Sequence, residues 1–363
     1  MHILSLVIPH KHYLVKASTA FLLLVRCSTC FADGQTLPDD LHTWAMASIE
    51  DIYNEKFKQA EDEARTIIKK YPQHPAGYFF LAAAIDAWME YYQSSEREED
   101  FYRCCDKALE TGERCLDKEP GNAWGKFFYG GADGLKGTYE SRYERWITAF
   151  RHGWKGVSAL VEVGKTNPEI HDVNFGIGTY YYWRSAMTKM LWWMPGIGNK
   201  CKEGIRQLYD AKNFGVFTRT AAAVHLVSIL ANDKKYEEAL NICDEVLERF
   251  PTALVVYWGR AKVLYGLERF EQSEQMFQYI LSRVEAEPID NHYNAIVCHY
   301  WLAKIHLRIN QYTQVIAECN RINYYKLEEG IKKRLEKYFD EANAMKNESH
   351  RAMLGKQEGE FKP

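Results

Sequence analysis

The chain lacks every short signature that would announce a common catalytic site. The GxSxG, HExxH and P-loop patterns are absent, so serine-elbow, zincin and P-loop chemistries have no anchor here. Gly-Ile-Gly at 196–198 follows Pro195 with no strand before it and has no third glycine, which argues against a dinucleotide-binding loop. No basic tract interrupts a chain of net charge −3, so the phosphate-neutralising surface that nucleic acids require is missing. The N-terminal apolar run, residues 17–25, is too short to span a bilayer comfortably. Past residue 32 the cysteines are Cys104, Cys105, Cys115, Cys201, Cys243, Cys298 and Cys319. They show no paired metal-ligand spacing, are odd in number, and read as free, mostly buried thiols.

Histidine gives no better foothold for chemistry. His299 and His306 stand two helical turns apart, too far to share one ion without a third element between them. His171 beside Asp172, and His225 near Asp244 and Glu245, have no nucleophile placed by a motif. All four are expected as partly buried side chains with satisfied nitrogens, and no metal, cofactor or enzymatic activity is expected.

The first 32 residues differ from the rest. Lys11 and Lys16 precede the apolar run, and Cys-Phe-Ala at 30–32 places a small residue before Asp33. This is the pattern of a secretory signal cleaved after Ala32. Cys27 and Cys30 form a CxxC by chance within it, and Arg26 and Thr29 stand where a lipoprotein would need a small residue. The leader carries only basic charges, so its removal leaves a more acidic chain. A periplasmic or envelope-associated location is expected.

What the chain has in quantity is helical patterning. It is 47% hydrophobic and 26% charged, as a folded protein should be, with 24 Tyr and 10 Trp. Residues 220–251 read as two amphipathic helices: Leu226, Leu230, Tyr236, Ala239, Leu240, Val246 and Leu247 recur at i, i+3, i+4. Asn232 and Asp233 break the first helix, and Pro251 closes the second. Such a hairpin cannot bury its apolar face alone, so it needs neighbours of its own kind.

The same frame recurs. It matches Trp44, Phe57, Ala60, Ile67 and Pro72 near the start, and Leu302, Ala303, Tyr312 and Ile322 near the end. Between them lie Tyr257, Ala261, Phe270 and Ile280, with Ser273 in place of the small crossing alanine. A further copy starts at Pro75 with Tyr78, Leu81 and Ala82, then Ala108, Cys115 and Pro120, separated by a polar insertion at 93–100 expected as a solvated loop. These residues resemble the tetratricopeptide repeat, whose period is about 34 residues. The resemblance implies an all-α, right-handed superhelix of helical hairpins used as a binding scaffold.

Residues 123–218 crowd glycine into helical pattern: Gly125, Gly130, Gly131, Gly134, Gly137, Gly153, Gly156, Gly176 and Gly178. Each helical glycine costs about 1 kcal/mol against alanine, so close helix packing is the expected compensation. Asp172 is expected to cap the aromatic helix that follows Pro168, itself expected to be buried. Trp192, Trp193 and Met194 at its end are the alternative: an exposed patch for a partner, a lipid surface or a second copy. With the KEGIRQL run at 202–208, this block resembles exported bacterial tetratricopeptide proteins of undefined role. The expected organisation is a leader at 1–32, repeats at 33–122, a glycine- and aromatic-rich section at 123–218, repeats at 219–325, and a capping helix and tail at 326–363, the tail frayed from about Asn347.

In tetratricopeptide proteins the first helix of each repeat lines the groove. Those offsets select Asn232; Trp258, Lys262 and Tyr265; then Val297, Tyr300, Lys304 and Arg308. Three cations and three aromatics on one wall imply a protein or peptide partner with an acidic or carboxylate segment. Two alternatives stand beside the scaffold: a periplasmic small-ligand-binding component of a transporter, which an apolar pocket in the glycine block would favour, and an enzyme, which clustered His and carboxylates at a cavity would favour.

Overall fold

The computed structural model describes residues 36–187, 199–289 and 292–360. They form an all-α array of successive antiparallel helix pairs. The pairs are α1 (Asp39–Tyr53) with α2 (Phe57–Lys70), α3 (Pro75–Tyr92) with α4 (Glu98–Lys118), and α5 (Ala123–Arg142) with α6 (Trp146–Thr166). Next come α7 (Val173–Ala186) with α8 (Cys201–Phe214), α9 (Arg219–Asn232) with α10 (Tyr236–Arg249), and α11 (Leu254–Gly266) with α12 (Phe270–Glu285). The last pair is α13 (His292–Arg308) with α14 (Tyr312–Ile322), followed by α15 (Glu329–Glu360). Each helix packs on its sequence neighbours, as a helical-repeat superhelix requires.

One turn is reused five times. Glu55, Glu144, Lys234, Glu268 and Asn310 each take a left-handed conformation, with φ between 58° and 62°. In every case the next residue's N–H reaches back five residues to a helix carbonyl, for example Lys235 to Leu230 at 2.8 Å and Arg269 to Leu264 at 3.0 Å. This closes the first helix as a Schellman motif. Two residues after each left-handed position an aromatic opens the second helix: Phe57, Trp146, Tyr236, Phe270 and Tyr312. The crossing positions Ala60 and Ala239 are fully buried, and so is Val315 at the same offset after Tyr312. Ser273 takes one such place, and its buried hydroxyl is satisfied by donating to the Ala261 carbonyl at 2.8 Å.

The glycine-rich block consists of two more pairs, α5–α6 and α7–α8. Its glycines bring backbones together. A methyl group at Gly156 would lie 2.6 Å from the Gly130 carbonyl oxygen, and one at Gly178 would lie 2.7 Å from that of Gly204. Helix α7 buries Tyr182 and Ile177 but leaves Trp183 39% exposed. The expected patch of Trp192, Trp193 and Met194 lies outside the described residues.

Three local expectations need correction. Asp172 does not cap α7: both its oxygens accept the Val216 N–H, and Oδ1 also accepts the Phe217 and Thr218 N–H groups and the Thr218 hydroxyl, at 2.8–3.1 Å. The insertion at 93–100 is not a plain solvated loop, since α4 already begins at Glu98, Arg97 pairs with Glu61, and Gln93 holds Arg334. The tail does not fray from residue 347, because α15 runs on to Glu360 and Ser349 is fully buried against its own helix.

Candidate functional site

The inner face of the N-terminal repeats is already occupied. Phe217 is 6% exposed and makes ring contacts with His42 of α1, Phe80 of α3, and Trp124 and Phe128 of α5, at 5.4–6.2 Å. Asp172, 2% exposed, holds the loop that delivers it. A buried carboxylate accepting several backbone N–H groups is a strong, directional anchor. The loop after α8 is thus a built-in occupant of the first three pairs.

The first helices of the later pairs carry a different wall. Trp258, Lys262 and Tyr265 lie at i, i+4, i+7 on α11, and Val297, Tyr300, Trp301 and Lys304 share the facing side of α13. Trp301 joins the two helices: it stacks on Phe277 at 5.4 Å and meets Tyr265 edge-on at 5.3 Å. The Lys304 ammonium stands 5.0 Å from the Trp301 ring, 5.4 Å from Tyr300 and 5.9 Å from Tyr265, and donates to the Tyr300 hydroxyl at 3.1 Å. Lys262 lies 5.9 Å from the Trp258 ring. Its surface is open to solvent, yet protein crowds round it, and that desolvation lowers its ammonium pKa. Neither lysine makes a salt bridge to a carboxylate among the described residues.

The remaining residues chosen from the groove offsets serve other ends. Arg308 is an ion-pair partner of Glu268 at 2.7 Å, so it is no free cation. Tyr300 is 5% exposed and donates to Glu341 of α15, and Val297 is 6% exposed. Asn232 donates to the Tyr182 hydroxyl at 2.8 Å, tying α9 to α7 rather than lining the wall. Trp301 was not among the chosen residues, although its place four residues after Val297 and three before Lys304 could have revealed it.

The histidines are engaged structurally. His299 sits between Glu318 at 2.6 Å and Tyr325 at 3.2 Å, and His306 contacts Gln311 at 2.9 Å. His225 packs edge-on against Phe175, and its burial lowers its pKa to about 4. Cys104, Cys105, Cys243, Cys298 and Cys319 are free and buried, and burial raises their thiol pKa values. Clefts of about 160 and 320 Å³ lie beside Phe217 and Phe250, and beside His74 and Cys115. The Gly130–Gly156 and Gly178–Gly204 pairs each meet backbone.

No family model matches the chain, and no curated protein matches it. Solved structures do resemble it. A thermophilic TPR protein of Thermus thermophilus is 16% identical, with 62% of this chain and 99% of that one covered at a TM-score of 0.40. A tetratricopeptide repeat protein from Parabacteroides merdae is 14% identical, covering 83% and 99% at 0.38. Yeast Tom70 is 15% identical, covering 86% and 67% at 0.41. By its own recurrent turns, buried crossing alanines and stacked helix pairs, the chain has the fold of a tetratricopeptide-type helical-repeat protein.

Proposed function

We propose that this protein is a non-enzymatic scaffold that binds a protein partner through a carboxylate-bearing peptide on the α11–α13 wall. One observation carries the reading: Lys262 and Lys304 stand among Trp258, Tyr265 and Trp301 without a carboxylate in ion-pair contact. A cation held in partly desolvated aromatic surroundings has more to gain from an incoming carboxylate than a solvated surface lysine. The aromatic rings supply contact area at low entropic cost. The leader-like first 32 residues support export to the cell envelope, where such a partner would be met.

Selection from a library of short displayed peptides is expected to enrich Asp- and Glu-rich sequences. Changing Lys262 and Lys304 together to Glu should weaken the selected peptide at least about tenfold, or roughly 1.4 kcal/mol, while Arg308→Glu changes affinity little. Because the pKa of Lys262 is lowered, affinity should begin to fall at a pH below the ordinary lysine range, and Lys262→Arg should remove that early loss. An unchanged affinity in the double variant sinks the proposal.

A further inference from the structure

Bonds spanning about two hundred residues of sequence hold the first pairs against the last. Glu55, in the α1–α2 turn, accepts the Leu254 N–H at 2.6 Å and the Arg283 guanidinium at 2.5 Å. Tyr91 and Tyr92, at the end of α3, donate to the two oxygens of Glu287, each at 2.8 Å. Asn294, in the first turn of α13, donates to the Tyr91 carbonyl at 2.8 Å. Gln93 accepts from Arg334 of α15 at both its carbonyl, 2.7 Å, and its side chain, 2.6 Å. That guanidinium lies over the rings of Tyr143 and Tyr293 at 5.0 and 4.6 Å.

The joint differs in kind from the contacts within each half. The apolar core of α1–α7 and the cores of the last pairs form separate clusters, with Tyr91 packed at the edge of the cluster that includes Trp258. Turn and helix-end residues make most of the joint through polar bonds, beside one ring contact of Tyr53 with Phe250 at 5.3 Å. Interfaces of this sort separate more readily than a shared core. Their location is specific: Leu254 and Asn294 open the two helices that carry the wall, so the joint covers one end of the wall and leaves Lys262 and Lys304 at the other.

We propose that this joint is a gate on the wall, with the protein's own first two repeats covering the N-terminal turns of α11 and α13 until a longer acidic segment displaces them. The proposal rests on the wall reading above. A ligand that uses the covered turns binds only the open form, so its apparent Kd exceeds the intrinsic one by the inverse of the open fraction.

The test uses the chain from Asp33 onward, a fluorescein-labelled Glu-rich peptide, X-ray scattering for the radius of gyration, and amide exchange at Leu254. Arg334→Ala removes one link mildly; Glu55→Lys places a cation against Arg283 and removes two. Both variants should show a larger radius of gyration and faster exchange at Leu254, and should bind the peptide several-fold to tenfold more tightly. Adding Lys262→Glu should abolish the gain. Opening without tighter binding overturns the gate while leaving the wall intact, and so does failure of Arg334→Ala to open the joint at all. If Lys262→Glu has no effect in either background, the wall reading itself fails. Should Glu55→Lys not fold, Arg334→Ala decides alone.

Discussion

Replacing Asp172 with alanine is expected to destabilise the protein by about 3–5 kcal/mol, the cost of stranding several buried donors that a charged acceptor had satisfied. The carboxylate is 2% exposed and receives the N–H groups of Val216, Phe217 and Thr218 together with the Thr218 hydroxyl. Its loss also releases Phe217 from the aromatic cluster of His42, Phe80, Trp124 and Phe128. Phe217→Ala alone should cost about 3–5 kcal/mol, as large core truncations do. Because the anchor and the ring act through one loop, the two losses should not add. The double variant should fall short of their sum by at least about 1 kcal/mol in urea unfolding. Full additivity would mean that Asp172 supports the loop without placing the ring.

Gly156→Ala is the second large effect. The added methyl meets the Gly130 carbonyl oxygen at 2.6 Å and the Gly134 nitrogen at 2.9 Å, and backbone cannot yield as a side-chain tip does. Overpacking of this kind costs about 1–3 kcal/mol, occasionally more, and here two whole helices must part, so a loss of about 3 kcal/mol is expected. Gly134→Ala is the matched control. It lies in the same helix pair, but nothing stands within 4 Å of its added methyl. Its higher helix propensity should stabilise by about 0.5–1 kcal/mol. Opposite signs from the same substitution in one helix pair would separate close packing from propensity; equal signs would remove close approach as the reason for Gly156.

These two sites show what was legible in the sequence and what was not. The repeat frame could be read because it is local. Tyr236 and Ala239, and Phe57 and Ala60, recur at one fixed offset, and the structure puts the aromatic at the helix start and the alanine at the crossing. Glycine density announced close packing, but a density cannot name its partner, and the pairing of Gly130 with Gly156 depends on the crossing geometry of α5 and α6. Asp172 stands at a capping position beside its own helix, which hid its role on a loop more than forty residues away. Arg308 sits at a groove offset, yet Glu268, at the left-handed position of the preceding repeat's turn, takes up its charge. The joint from Glu55 to Leu254 and Arg283 leaves no periodic trace, since it depends on how the superhelix returns upon itself.

Lys262 and Lys304 stand against the rings of Trp258, Tyr265 and Trp301. Among the described residues neither lysine has an acidic ion-pair partner, whereas the face of α1, α3 and α5 is occupied by Phe217.

Amide hydrogen exchange of the protein with a selected acidic peptide bound, compared with the protein alone, tests the binding face most directly. Slowed exchange confined to α11, α13 and the turns that flank them is the expected result. Protection centred on α5–α8, or none at saturating peptide, would contradict a binding face built on Lys262, Trp301 and Lys304.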